Sequence, residues 1–187
     1  MTIYNGYVSV PHQSYDIFRA NIMGNGYDAD GIAGCQCVDV PKILNYNLGY
    51  SSPYYSTGGT GNAYAGWTDL TARAFNAGQC TLVNNLSDVK RGDLIVLNAT
   101  VSNPPGHVTF ADEDYDGSGY LWCVGQNQGG TPLPQGGTVV TRNHLGMSDF
   151  LGGFRYNIWT QQPTVSYRSK QSKFPWVLYA RKLRAKR

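Results

Sequence analysis

The sequence predicts an α+β protein, and three observations carry that expectation. Apolar residues recur at helical spacing through the first half of the chain. The second half holds short segments rich in β-branched and aromatic residues, separated by Gly, Pro and Asp turns. Helices followed by a run of neighbouring strands is the α+β order, and no internal repeat interrupts it. At 187 residues the chain has the length of about one domain, enough to bury a core without disulfide staples.

The elements follow in order. Residues 13–23 (QSYDIFRANIM) predict a short helix, with Ile17 and Ile22 apolar and Phe18 beside them. Turn chemistry fills 24-GNGYDADGIAG-34. A second helix should follow, with Val40, Ile43, Leu44 and Leu48 on one apolar face and Gly49 as its stop. Proline fits only in a first turn, so a helix containing Pro41 starts near Cys37 or Val38. Cys37 then faces the positive end of the helix dipole. Residues 49–62 read as loop, and 63–76 as another helix ending before Gly78. Strands are expected at 93–98, 107–112, 120–126, 137–142 and 154–159, with 112-DEDYDG-117 as a turn. Residues 161–187 form an extension beyond a main domain at 1–160, and 174-FPWVLYA-180 within it could add a last strand.

Composition excludes some classes. Charged residues are 14% of the chain, while Gly numbers 23 and Tyr 14, a globular and loop-rich balance rather than a disordered one. No apolar run approaches the ~18 residues of a membrane span. The N-terminal MTIYNGYVSV lacks a basic segment followed by an apolar core, so no signal peptide is read and synthesis is expected in a cytoplasm. The net charge is +3, yet 181-RKLRAKR-187 carries five positive charges, which suits an anionic partner or simply a solvated terminus. Four cysteines are few for a disulfide scaffold and read as reduced thiols.

The stretch 34-GCQCVDV-40 holds the candidate chemistry. A helix N-terminus lowers a thiol pKa from its usual ~8.5, and Cys37 has that position where Cys35 does not. A thiolate nucleophile needs a base, and His107 opens a strand after the turn 103-NPPG-106. Asn127, in 125-GQNQ-128, would lie beside His107 if the two strands pair, and its amide oxygen would fix the ring's tautomer. Gln36 and the Cys37 N–H are placed to hold an oxyanion. His12 and His144 read as surface or structural, and Trp67, Trp122, Trp159 and Trp176 mostly as core.

Gln36-Cys37-Val38-Asp39, 91-RGDLIVL-97, Gly106-His107-Val108 and Gln126-Asn127, in this order, resemble the CHAP family of cysteine, histidine-dependent amidohydrolases and peptidases over residues 13–160. The resemblance implies a papain-like fold and hydrolysis of a peptidoglycan amide bond, as amidase or endopeptidase. It implies Cys37 as nucleophile, His107 as base and Asn127 as third member. Many members carry an acidic residue where this chain has Gly125. A wall hydrolase without an export signal suits a phage lysin released through a holin or carried in a virion. A monomer is expected, with peptidoglycan as partner, the basic tail on anionic wall polymers, and no nucleic acid.

The run 28-DADG-31 fails as an EF-hand: its glycine comes too early and no glutamate closes the loop. Asp28, Asp30 and Asp39 still offer three hard oxygens for Ca²⁺; the alternative is an Asx turn plus a charge at a helix start. The family resemblance adds main-chain oxygens of Ile32 and Gly34 as ligands. Two other readings compete with hydrolysis. Cys35-x-Cys37 as a metal or redox pair has a one-residue gap where such sites use two or more. A catalytically idle wall-binding or virion module would leave Cys37 without a task.

Overall fold

The computed structural model describes residues 1–50, 55–78 and 80–160. The expected extension at 161–187, its last strand and Trp176 lie outside them.

The N-terminal half is helical, as expected, with two short strands that the sequence did not announce. β1 (Ile3–Asn5) pairs in parallel with β2 (Gly26–Asp28), each too short to show an alternating pattern. α1 (Tyr15–Ile22) starts where the Ser14 side chain accepts the Ile17 N–H at 3.2 Å. It buries Tyr15, Phe18 and Ile22, one face at i, i+3 and i+7. Ile17 points away from that face and is exposed. α2 (Asp39–Asn47) begins just after Cys37 and Val38, with Pro41 in its first turn, where its missing N–H costs nothing.

The single helix expected over 63–76 is two pieces, α3 (Ala65–Thr68) and α4 (Leu70–Asn76). Asp69 breaks it: its backbone is extended and its carboxylate accepts the Ala72 N–H at 2.8 Å, which starts a new helix.

Six strands build the sheet: β3 (Cys80–Val83), β4 (Leu94–Leu97), β5 (His107–Ala111), β6 (Tyr120–Gly125), β7 (Thr141–Gly146) and β8 (Phe150–Tyr156). Their order is β3-β8-β4-β5-β6-β7, antiparallel throughout. The α+β expectation therefore holds. β3 was not anticipated. The strand expected at 137–142 is displaced to Thr141–Gly146. The one expected at 154–159 starts at Phe150 and gives way to α5 (Asn157–Thr160).

One sheet face packs against the helices. Phe18, Ile22, Ile43 and Leu44 meet Val96, Val108, Phe110 and Phe154 there, all fully buried. Each such side chain contributes about 1.5–3 kcal/mol relative to exposure. The other face carries a smaller cluster around Ile95, Leu121 and Cys123. Trp67 and Trp159 join the main core, whereas Trp122 stacks on His144 at 4.8 Å with the Arg142 guanidinium 4.1 Å from its ring.

Asp112 is more than the start of a turn. It is buried and accepts from Arg19 Nε at 2.6 Å, Arg142 Nε at 2.6 Å and Tyr15 Oη at 3.1 Å, tying α1 to β7. Burial alone would raise its pKa, but the two arginines outweigh that and hold the carboxyl below its ordinary range. Among the described residues no helix is long and apolar enough to cross a membrane.

Candidate functional site

Cys37 ends the loop that leads from β2 into α2, and His107 is the first residue of β5. Gly106 delivers the histidine. It has φ 68°, and a Cβ there would meet Leu97 O at 2.7 Å and the Tyr64 side chain at 2.9 Å. Only glycine lets the strand start this close to α3 and β4.

The Cys37 thiol and the His107 imidazole are neighbours that shift each other's proton affinity. Burial pushes the thiol up, but the His107 hydrogen bond and charge, with help from the Val108 amide, bring it below the ordinary thiol value. Burial likewise pushes His107 down, and the Cys37 charge and hydrogen bond, with Gln128, raise it above the ordinary imidazole value. Opposite shifts in one pair favour thiolate and imidazolium together. Cys37 is partly exposed and lines a cleft of about 640 Å³ with Gln36, Tyr55, Asn62, Phe75 and Pro105.

The group on the far side of the ring is Gln128, where Asn127 was expected. His107 Nε2 lies 3.1 Å from Gln128 Oε1, which also accepts the Thr109 hydroxyl at 2.7 Å. Gln128 Nε2 donates to Cys123 O and Thr141 O, both at 2.9 Å. Two carbonyls can only accept, so the amide has one orientation and its oxygen faces the ring. His107 Nε2 must then carry a hydrogen, which leaves Nδ1 for the sulfur.

The correction has a backbone cause. β5 and β6 pair Phe110 with Val124, and three further steps would bring His107 level with Asn127. But β6 ends at Gly125, and Asn127 takes φ 57°, left-handed backbone that asparagine tolerates better than most residues. The turn sends its side chain elsewhere: Asn127 Nδ2 donates to Gln36 Oε1 at 2.9 Å. Gly125 explains the exchange. A Cβ there would sit 3.0 Å from Gln128 Oε1 and 2.9 Å from Thr109 Oγ1, so the Gln128 amide fills the space where an acid at 125 would start. The signal in the sequence was a glycine at the acid's place with another amide three residues on.

Gln36, expected as an oxyanion donor, lines the cleft beside Cys37. Its Nε2 gives one hydrogen to Ala33 O at 2.5 Å, and the second remains for a ligand.

Asp28, Asp30 and Asp39 converge as expected, each with an oxygen within 4.8 Å of the others. Ile32 and Gly34 lie in the same loop, and the Ile32 N–H donates to Asp30 Oδ1 at 3.0 Å, which is the Asx turn of the alternative reading. Asp39 accepts from the Gln36 N–H at 2.7 Å and the Ala29 N–H at 3.3 Å. Burial nonetheless pushes its carboxyl up to about 7, against the pull of Lys42. Asp28 Oδ1 is buried without a hydrogen-bond partner among the described residues. Lys42 was not foreseen: its ammonium sits 2.5 Å from Asp30 Oδ2 and 3.6 Å from Asp39 Oδ1.

All four cysteines are free thiols, and Cys35 is buried in a small cluster with Leu133 and Val139. Cys35 and Cys37 therefore face different surroundings.

No protein family model matches the chain. A stretch of 118 residues, 63% of the chain, is 30% identical to a D-alanyl-L-alanine endopeptidase of Streptococcus phage B30 and spans 25% of that protein. Among solved structures, the wild-type endolysin LysIME-EF1 aligns at a TM-score of 0.58 and 25% identity, over 80% of this chain and 65% of that one. The chain thus spans a quarter of the relative and under two thirds of the structural neighbour. It shares the fold of that endolysin over most of its own length.

Proposed function

We propose that the chain is a peptidoglycan hydrolase of the endolysin type that cuts a wall amide bond with Cys37 as nucleophile. The observation that carries this is Cys37 in the lining of the cleft with His107 as its neighbour. The Streptococcus phage relative and the endolysin fold supply the wall as substrate. The relative's activity favours an endopeptidase over an amidase. A CHAP-type assignment rests on the motif residues themselves.

The Cys37 thiolate attacks the amide carbonyl, forming a C–S bond and placing a negative charge on the carbonyl oxygen. The second hydrogen of Gln36 Nε2 and the Cys37 N–H bind that oxyanion. His107, protonated, gives its proton to the departing nitrogen as the C–N bond breaks, leaving a thioester. The neutral imidazole then takes a proton from water, whose oxygen attacks the thioester; acid product leaves and the thiolate returns. Gln128 keeps the ring turned with Nδ1 to the sulfur throughout.

The aspartate loop suits Ca²⁺: three carboxylates within reach of one another, one with an unpartnered buried oxygen and another whose proton affinity burial raises. Asp28, Asp30 and Asp39, with main-chain oxygens of Ile32 and Gly34, would hold it. When bound, the ion supplies charge neutralisation and loop rigidity and takes no part in acyl transfer. Residues 181–187 would add attraction to anionic wall polymers.

The test is release of new amine or carboxyl ends from purified walls. Cys37→Ala and His107→Ala should each abolish release while the circular dichroism spectrum stays that of wild type. A Cys37→Ala protein that still releases ends would remove the proposal.

A further inference from the structure

Three consecutive side chains after β6 reach three different targets. Gln126 Nε2 donates to Tyr27 O at 3.1 Å, Asn127 to Gln36, and Gln128 holds His107. We infer that Asn127 is a positioning residue for the oxyanion donor Gln36 and has no part in orienting the histidine. The inference rests on the hydrolase reading and assigns a new task within that site.

Gln36 is gripped at three points. Its backbone N–H goes to Asp39, its side-chain nitrogen to Ala33 O, and its side-chain oxygen accepts from Asn127. The Ala33 carbonyl can only accept, which fixes the Gln36 amide with Nε2 toward the loop and Oε1 toward Asn127. Asn127 must then donate. Its own backbone is pinned, the N–H giving to Thr138 Oγ1 at 2.8 Å. Its other amide atom, Oδ1, faces Gly137, where an added Cβ would stand 3.0 Å away. The donor is therefore aimed at Gln36 from a fixed mount.

The geometry also explains why two amides are needed. An oxyanion donor acts at full strength only if it is in place before charge develops. A glutamine side chain has three rotatable bonds, and Ala33 alone leaves the amide free to swing about that one contact. The second contact removes the swing and leaves one Nε2 hydrogen for the substrate. Histidine orientation is already complete through Gln128, so Asn127 has nothing to add there.

The two roles demand opposite chemistry at position 127. A histidine orienter must accept, and aspartate would do so as well as asparagine. A Gln36 holder must donate, and aspartate cannot. Asn127→Asp is therefore the decisive variant. Asn127→Gly removes the side chain while suiting the left-handed backbone.

On a defined wall peptide, both variants should lose roughly tenfold to a hundredfold in kcat, a fraction of the ~10²–10³ for a lost oxyanion donor, with KM little changed. In Asn127→Gly, which adds no charge, the pH limbs of kcat/KM should stay where they are in wild type. Asn127→Gly placed on Gln36→Ala should cost nothing beyond Gln36→Ala alone. Wild-type kcat in Asn127→Asp, shifted pH limbs in Asn127→Gly, additive losses in the double variant, or an unimpaired Gln36→Ala would each overturn the inference. Cys37→Ala is assayed in parallel: activity there defeats the hydrolase reading, while an inert Cys37→Ala beside a fully active Asn127→Asp defeats only this one.

Discussion

Replacing Lys42 by methionine tests how the aspartate loop is balanced. Met keeps most of the stem volume and removes the charge that now sits 2.5 Å from Asp30 and 3.6 Å from Asp39. At an effective permittivity of about 20, those two attractions are worth at most ~7 and ~5 kcal/mol before desolvation. Breaking a buried pair costs about 3–5 kcal/mol net. A calcium ion entering the cluster must displace or share these contacts, so Lys42 weakens binding by about 3 kcal/mol, two orders of magnitude in Kd. Calorimetric titration of chelator-stripped protein should show Lys42→Met binding Ca²⁺ roughly a hundredfold tighter than wild type. Without calcium, the variant should melt lower, because three carboxylates then face one another with no cation; added calcium should restore it. Equal or weaker binding in the variant would refute the competition, and no calcium heat in either protein would refute the site.

Three more predictions concern the pair and its frame. The kcat/KM profile should be bell-shaped, rising as Cys37 loses its proton below the ordinary thiol value of ~8.5 and falling as His107 loses its own above the ordinary ~6.5; a bell with both limbs at ordinary values would contradict the pairing. Gln128→Glu should move the alkaline limb to higher pH, since a carboxylate at Nε2 favours imidazolium, and should lower the melting midpoint by setting a charge against the Cys123 and Thr141 carbonyls; an unmoved limb would show that Gln128 does not face the ring in solution. Asp112→Asn should cost about 3 kcal/mol by leaving Arg19 and Arg142 poorly paired, lowering the midpoint by roughly 6–12 °C, and a shift within error would mean the ion pairs are solvent-screened.

The class of fold and the nearness of Cys37 to His107 were legible because they are encoded locally. Pro41 limits where α2 can start, which places Cys37, and the NPPG turn ends where His107 opens a strand. What escaped depended on side chains meeting across the fold. Pairing the two strands put Asn127 beside His107, and a left-handed residue, invisible in a pattern of apolar positions, handed that place to Gln128. Asp69 looked like one polar position in a helix and is instead the cap that splits it. The Asp39–Lys42 spacing, one helical turn, was there to read as an ion pair, but its reach to Asp30 needed the curl of the loop. β1 and β2 are three residues each, below the length at which alternation carries information.

The most direct measurement is the rate of Cys37 alkylation by iodoacetamide against pH, in wild type and in His107→Ala. The account predicts that modification of this one thiol abolishes wall cleavage. Its rate in wild type should titrate below the ordinary thiol value, and loss of His107 should move that titration upward. A rate that titrates near ~8.5 in both proteins, or wall cleavage that survives alkylation of Cys37, would contradict it.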